Sequence, residues 1–490
     1  MKRKFKNKEF YLPILLLAII FIIKLIQFSK IVSYFPLRHD IPSHIANLYF
    51  LVEYGFHGFV PNWYNGFTLF EFYPPGYYFF TFPIYLLSNN FSLSTYISLI
   101  ISFVLGFIGI LIFGKTQRIS FIRSIALFLF FFANSIFINF FYEIGRLASV
   151  FTWLVIFIPF CIIVFWYKDH NIDYKFSLFI IFLSLLILSH TFVFIMSSLL
   201  ILSLFLIKNK KEKIFILLSV LLSLIITSFW WIPFVKFTLS INHLENFLAR
   251  EILQLKSFVS YSTILIFILW FTIYFYLKYK NSLKEYIFFT PYLILSILFF
   301  TRLIIFIPLF NRVPAGEYNI IFLFLSLFLF FKTDYSIYPI IIKKIIPLVL
   351  LILAISSVII TFNMLFLIEH NETEEEMISI LPQVHEKFIV LSEKEFFIDE
   401  GLATYAAIYY NLLTPAGHHF SALAKKEVLE TFKELNKNLE SKNCKDMIYN
   451  LKKLEVKEII SAKEHCDFLT ECGIKEKIKK EHACLFYLNY

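Results

Sequence analysis

Long apolar runs recur along almost the whole chain, and they constrain its fold more than any other feature. Of 490 residues, 59% are hydrophobic and only 16% are charged, and the mean hydropathy is +0.74. A water-soluble fold could not cover so much apolar surface. Most of the runs are long enough to cross a bilayer as helices, which rise about 1.5 Å per residue. The sequence therefore predicts an all-α polytopic membrane protein.

The apolar runs divide into about eleven predicted spans, which cover residues 11–29, 92–113, 121–138, 147–167, 176–188, 192–207, 214–232, 261–277, 286–301, 319–331 and 345–367. A further run, 77–87, is too short to cross and contains Pro83, so we predict an interfacial or re-entrant helix there. The stretch 176–207 is long for one helix and short for two, and basic residues flank both of its ends. We predict two short helices that meet near His190.

Lys and Arg are concentrated in alternate connections between the predicted spans. Basic residues favour the cytoplasmic side of a membrane. This bias predicts a cell-membrane protein with a cytoplasmic N-terminus, and it places a first outer loop, 30–91, and the tail, 368–490, outside the cytoplasm. The formal charge of +10 comes from these short clusters. We therefore expect the lipid bilayer, and not nucleic acid, as the partner of the basic residues.

The composition changes at residue 368 from apolar to charged and mixed. We therefore divide the chain into a transmembrane domain, 1–367, and a small extracytoplasmic α/β domain, 368–490. Residue patterns in the second domain predict strands at 387–392, 456–462 and 483–490 and helices at 421–442 and 444–454.

Four of the five cysteines lie in this tail: Cys444, Cys466, Cys472 and Cys484. Disulfides form in oxidising compartments, so an extracytoplasmic tail would allow two of them. The spacing leaves all three connectivities open.

The stretch 34–76 follows the first span of an otherwise lipid-soluble chain, and its first acid is Asp40. An ionisable carboxylate at a membrane boundary, such as that of Asp40, needs a partner or a task. His44 follows one helical turn later, so the two side chains would share a helix face. The pair could hold a divalent cation such as Mg or Mn, or the acid could act as a general base that His44 orients. Alternatively, Asp40 caps the helix that Pro42 begins.

Aromatic residues fill the second half of this loop. Trp63 and Tyr73 offer stacking faces for a sugar or an isoprenoid chain, although aromatic belts are also normal at membrane interfaces. Glu71 is an acid among aromatic residues, which makes it either a third catalytic residue or a solvated loop residue.

Charged residues also occur where later helices reach the outer face. Arg146 and Arg312 are suited to bind a phosphate group, with Glu317 beside the second of them. His190, at the tip of the short hairpin, is a further binding candidate. The alternatives are snorkelling arginines, buried ion pairs and a core histidine. We do not expect a metal site at the pair 418–419, because adjacent histidines point in different directions in a strand.

Four stretches together resemble a known family: HDIPSHIANLY, NWYNGFTLFEFYPPGYYF, EIGRLASVFTWLVIFIPF and LSHTFVFIMSSLLI. They are similar to the multispanning proteins catalogued as "6-pyruvoyl-tetrahydropterin synthase related". Those proteins are similar in turn to the GT-C glycosyltransferase superfamily, which includes the oligosaccharyltransferase catalytic subunit and the protein mannosyltransferases. The likeness covers most of residues 1–370 in order and topology.

The resemblance implies an inverting transfer of a sugar from a polyprenyl-phosphate carrier to a glycan, lipid or protein acceptor of the cell envelope, with Asp40 as the catalytic acid of the first loop. No sequon-reading motif is found in the tail, so protein N-glycosylation is not expected. Two alternatives remain open. One is a non-catalytic transporter or flippase for a saccharide or lipid-linked glycan, and the other is an assembly or sensor protein whose outer domain does the binding.

Overall fold

The computed structural model of the protein describes residues 10–240, 258–335, 340–364, 370–392, 396–418 and 424–489. Helices follow the apolar runs in the first half of the chain: α1 (Tyr11–Phe28), α2 (Ile41–Tyr54), α3 (Gly76–Ser88), α4 (Phe91–Thr116), α5 (Phe121–Phe132), α6 (Ser135–Tyr142), α7 (Leu147–Asp169), α8 (Ser177–Ser189) and α9 (Thr191–Ile207). The second half continues with α10 (Lys210–Ile226), α11 (Ser228–Ser240), α12 (Phe258–Lys280), α13 (Leu283–Phe300), α14 (Ala315–Lys332) and α15 (Ile340–Phe362).

Within the described ranges, seven helices are long and apolar enough to span a membrane, or nine if each of two bent pairs counts as one span. The pairs are α5 with α6, bent by 54°, and α10 with α11, bent by 76°. The chain is thus a multi-pass membrane protein. Eleven spans are reached only when the shorter helices α8 and α9 are added, so that count stays a prediction.

Both stretches that fit no ordinary span form the helices that their sequences predict. Helix α3 has 13 residues with Pro83 inside, and it ends at Asn89, whose φ of +51° is left-handed. Helices α8 and α9 meet at His190, which is extended, with φ −163° and ψ 113°. The chain therefore reverses at His190 without a long connecting loop.

Aromatic side chains fill the interior between the helices. Helix α1 packs against α15, α9 against α13 and α12 against α14. Phe113 illustrates the packing, because its ring contacts Phe165 and Phe328 at centroid distances of 5.7 and 5.0 Å. Tilted ring pairs of this kind are favourable because the positive edge of one ring meets the negative face of the next.

The first outer loop contains a short hairpin of β1 (Phe59–Val60) and β2 (Phe67–Thr68). The C-terminal part of the chain forms a separate sheet flanked by helices: α16 (Glu372–Ile380), β3 (Phe388–Leu391), α17 (Phe396–Tyr410), α18 (Lys426–Glu440), α19 (Cys444–Lys453), β4 (Glu458–Ala462), α20 (Lys463–Glu471), β5 (Lys475–Lys479) and β6 (Ala483–Tyr487).

The strand order is β3-β4-β6-β5, with β3 and β4 parallel and the other pairs antiparallel. The three predicted strands are present, while β5 was not predicted because its sequence, KEKIK, is mostly charged and lies at the edge of the sheet. The predicted helix 421–442 is found from Lys426 to Glu440, and residues 421–423 lie outside the described residues.

Disulfides join Cys444 to Cys472 and Cys466 to Cys484, which is one of the three connectivities left open by the sequence. The bonds close loops with sequence separations of 28 and 18 residues. We expect peptide mapping of the unreduced protein by mass spectrometry to find these two linked pairs. Removing either bond by a paired Cys→Ser substitution should lower the free energy of unfolding of this domain by about 2–4 kcal/mol. A different pairing in the native protein would contradict the fold of the domain.

Candidate active site

Asp40 lies at the N-terminus of α2. Its carbonyl oxygen accepts a hydrogen bond from the backbone N–H of His44 at 3.2 Å, but its side chain makes no capping hydrogen bond. The carboxylate is 24% exposed, with Oδ2 at 3.9 Å from Nε of Arg146 and Oδ1 at 3.4 Å from Nε2 of His418. We call these three residues the Asp40 cluster. Asp40 is thus the N-cap residue of α2, as the capping alternative predicts, but its carboxylate does not cap the helix.

A tight turn brings Arg146 to Asp40. The backbone N–H of Asp40 donates a hydrogen bond to the carbonyl of Ile144 at 3.0 Å. Gly145 has a φ of +79°, and a Cβ on it would lie 2.3 Å from Cγ1 of Ile41. Only glycine fits this close approach in the left-handed region. The turn thus fixes the following residue, Arg146, beside the carboxylate.

The Arg146 side chain is 31% exposed, which leaves its guanidinium accessible. It lies over the ring of Phe140 at 5.2 Å, and a Cβ on Gly316 would lie 4.0 Å from its Nη1. Gly316 is in the first turn of α14, where backbone N–H groups carry partial positive charge. A guanidinium directed to a helix N-terminus is a favourable setting for an anionic group.

Sequence reasoning missed His418. It was considered only as half of an adjacent histidine pair, whereas its contact with Asp40 joins residues 378 positions apart. The one available signal was that both residues were expected on the extracytoplasmic side. The His418 side chain is only 3% exposed.

His44 contacts two tyrosines from the second half of the first outer loop. Its Nδ1 lies 2.9 Å from the hydroxyl of Tyr78, and its ring lies 6.0 Å from that of Tyr73. Burial lowers the pKa of His44 to about 4, although the charge of Asp40 acts in the opposite direction. His44 is therefore neutral near pH 7 and acts as a hydrogen-bond partner. Burial, and then the charge of Asp40, raises the pKa of Tyr73 above its ordinary value.

A small pocket lies beside the cluster, with a cavity volume of about 20 Å³, enough for a single water. Its lining is aromatic with a few polar groups: Ser43, Asn47, Trp63, Phe67, Thr68, Phe70, Phe72, Tyr73 and His418. Trp63 is 1% exposed and directs its Nε1 to the carbonyl of Ala403 at 3.4 Å. Trp63 and Tyr73 thus both line the pocket, and their role in substrate binding stays a prediction.

His190 and Glu317 are buried near this region. The His190 ring lies 6.5 Å from that of Tyr73, and its buried Nδ1 has no hydrogen-bond partner among the described residues. The carboxylate oxygens of Glu317 accept hydrogen bonds from Oγ of Ser149 and Nε1 of Trp153, both at 2.9 Å. Glu317 directly follows Gly316, the glycine that lies close to Nη1 of Arg146.

The other two predicted residues lie on loops outside the cluster. Arg312 is exposed, at the end of the loop that precedes α14. Glu71 is placed by its neighbours, because the carbonyl of Phe70 accepts a hydrogen bond from Nε1 of Trp230 at 3.0 Å, and the ring of Phe72 lies 6.2 Å from that of Phe234. Desolvation raises the pKa of Glu71. The residues on either side of Glu71 thus pack against α11. The catalytic role of Glu71 stays a prediction.

The side chains of the Asp40 cluster are not suitable ligands for a divalent cation. In the part of the chain that the structure describes, no three His, Cys, Asp or Glu side chains are grouped closely enough to hold a metal ion. Mg²⁺ and related ions need several oxygen ligands, and Asp40 instead has the cation Arg146 beside it. The described residues therefore do not supply the required ligands, and the metal role predicted for Asp40 and His44 stays a prediction.

Comparison with solved structures finds the same fold in the oligosaccharyltransferase of Archaeoglobus fulgidus. The chain is similar to its apo form with a TM-score of 0.56 and 11% identity, over 92% of this chain and 70% of that one. A complex of the same protein, AglB, with an inhibitory peptide and a dolichol-phosphate gives a TM-score of 0.58 and 11% identity, over 93% and 70% of the two chains. A complex with Zn and sulfate gives 0.53 and 13%, over 91% and 68%.

No family model matches the sequence, and no curated protein matches it. At 11–13% identity, the structural likeness establishes the fold alone. The fold is thus that of the Archaeoglobus fulgidus oligosaccharyltransferase, and the GT-C glycosyltransferase activity that the sequence resemblance implied stays a prediction. The narrower family suggested by the sequence is not confirmed by these comparisons.

Proposed function

We propose that the chain is a membrane glycosyltransferase that moves a sugar from a polyprenyl-phosphate donor to an extracytoplasmic acceptor, with inversion at the anomeric carbon. The observation that carries the proposal is the Asp40 cluster, in which a partly exposed carboxylate lies 3.9 Å from an accessible guanidinium. The likeness to a structure that holds a dolichol-phosphate supports a lipid-linked donor.

In the proposed reaction, Asp40 is the general base. The carboxylate accepts the proton of the acceptor nucleophile, which attacks the anomeric carbon of the donor sugar. The bond from that carbon to the phosphate oxygen breaks, its electron pair stays on the oxygen, and polyprenyl phosphate leaves. Arg146 neutralises the charge that develops on the leaving phosphate, because a guanidinium matches the geometry of phosphate oxygens.

The remaining predicted residues would shape the donor and acceptor subsites. Arg312 is exposed on the outer loop before α14 and would bind the donor phosphate from a second direction. Glu317, in the same helix turn as Gly316, would help to set the charge around the guanidinium of Arg146. Trp63 and Tyr73 would form the wall of the small pocket, with His190 next to Tyr73, and would support the sugar site from beneath.

The orientation belongs to the same proposal. Four cysteines of the C-terminal domain are paired in disulfides, which are typical of oxidising compartments. The distribution of Lys and Arg favours the same side for this domain. We therefore assign residues 368–490 and the loop 30–91 to the extracytoplasmic face and the N-terminus to the cytoplasm.

The proposal is tested with purified protein in liposomes supplied with a panel of polyprenyl-phosphate sugars and with cell-envelope extract as acceptor. We expect one donor to be consumed, polyprenyl phosphate to be released and the product to carry the inverted anomeric configuration by NMR. Labelled donor that crosses the bilayer without any covalent change would instead establish the transporter alternative.

Arg146→Gln is expected to lower kcat/KM for the donor about 10- to 100-fold, because it removes a charge-assisted hydrogen bond to the leaving phosphate worth about 1.5–3 kcal/mol. Arg146→Lys, which keeps the charge but loses the planar fork, should give a smaller decrease. The matched control is Arg118→Gln, an exposed arginine in a segment predicted to be cytoplasmic. An unchanged kcat/KM for the donor in Arg146→Gln would remove this residue from the donor site.

A further inference from the structure

The segment that carries His418 is held against the first outer loop by several contacts. The backbone N–H of Thr414 donates to the carbonyl of Asn62 at 2.9 Å, and that of Tyr64 donates to the carbonyl of Ala416 at 3.4 Å. The hydroxyl of Tyr64 donates to the carbonyl of His418. The C-terminal domain is therefore connected to the loop within a few residues of the Asp40 cluster.

The absence of a side chain at Gly417 permits this close approach. A Cβ at this position would lie 2.7 Å from Cζ of Tyr64 and 2.9 Å from Cγ of Trp63. Both rings are buried and cannot move aside without disturbing the packing of the loop. Gly417 thus fits between the rings of Tyr64 and Trp63, and the next residue, His418, contacts Asp40.

The imidazole of His418 links the carboxylate to the pocket. Its Nε2 lies 3.4 Å from Oδ1 of Asp40, while Arg146 approaches the other oxygen, Oδ2. His418 also lines the pocket, together with Trp63 and Tyr73. A base is effective only when its orientation is fixed, and a hydrogen-bonding partner on the second oxygen fixes it.

We propose that His418 is a positioning residue for Asp40, so that the C-terminal domain completes an active site whose base lies in the transmembrane domain. The inference rests on the proposed function. His418 donates its Nε2–H to Oδ1 and holds the carboxylate at the pocket, where the acceptor nucleophile approaches. The long distance of 3.4 Å is of the kind that shortens when substrate binds.

The test compares kcat and the KM for donor in full-length variants reconstituted in liposomes. His418→Ala should lower kcat about 10- to 100-fold, as loss of an orienting partner commonly does, with little change in the KM for donor. His418→Gln offers an N–H near the position of Nε2 and should restore part of kcat. His482→Ala is the matched control, because this histidine of the same domain pairs with Glu372. Its kcat should be unchanged.

Tyr64→Phe separates docking from positioning, because it removes the hydrogen bond to the His418 carbonyl and leaves the imidazole intact. We expect a smaller loss of kcat than in His418→Ala. An equal loss in the two variants, or no rescue by His418→Gln, would overturn the positioning role. If His418→Ala keeps its kcat and Asp40→Asn is inactive, the positioning role is also overturned. A fully active Asp40→Asn would instead refute the proposed function.

Discussion

Asp40→Asn is expected to lower the rate of sugar transfer about 10²- to 10⁴-fold while leaving the fold intact. Asparagine has nearly the same shape, but its side-chain amide cannot accept the acceptor proton. The backbone bonds of Asp40 to Ile144 and His44 are unaffected, and no capping hydrogen bond of the side chain is lost. The loss corresponds to about 2.7–5.5 kcal/mol in the activation free energy.

The measurement is single-turnover transfer in liposomes, so that donor binding and product release do not limit the rate. Glu53→Gln is the matched control, since it replaces an exposed carboxylate in the same helix, α2, by its amide. This control should transfer at the unmodified rate. An Asp40→Asn protein with an ordinary melting temperature and an ordinary rate would eliminate Asp40 as the base.

Glu285→Leu is expected to have the largest effect on stability, lowering the free energy of unfolding by about 3–5 kcal/mol. Oε1 of Glu285 lies 2.5 Å from Nζ of Lys168, and these side chains are only 9% and 1% exposed. Removing the acid leaves a buried ammonium, which Asp169, at 3.9 Å, neutralises only in part. The double variant Lys168→Met/Glu285→Leu replaces both charges and should recover most of the loss.

Cys161 provides the measurement, because it is the free cysteine of the chain and is buried in α7. Thiol labelling of this residue in detergent reports unfolding of the helix that carries Lys168. Lys284→Met, which breaks an exposed pair with Asp169, is the control and should cost less than about 1 kcal/mol. Equal stability of the Glu285→Leu and double variants would show that the buried charge is not the cause.

The sequence predicts most of the helices well because their apolar runs are long, but it misses the bends of 54° between α5 and α6 and of 76° between α10 and α11. It also predicts the short helix at residues 76–88, since Pro83 and the short run both oppose a full span. Asp40 is recognisable for a similar reason, because a carboxylate next to a span has few structural explanations. These features depend on residues that are near each other in the chain.

The rest of the site depends on contacts between distant segments. His418 meets Asp40 across 378 positions, and no local pattern indicates that contact. Glu71 also depends on tertiary packing, since its neighbours Phe70 and Phe72 line the pocket beside the cluster and contact α11 as well, and its catalytic role stays a prediction. The geometry of such a site is fixed by tertiary packing, which spacing alone does not reveal.

The position of a bound donor tests the central claim most directly. We would determine a structure of the protein in a lipid nanodisc with a polyprenyl-phosphonate sugar that cannot be cleaved. We expect the phosphonate at the guanidinium of Arg146 and the anomeric carbon facing the pocket, with Asp40 within hydrogen-bond reach of the space from which an acceptor would attack. A phosphonate bound away from Arg146, with Asp40 out of reach of the sugar, would contradict the assignment of this cluster as the reaction centre.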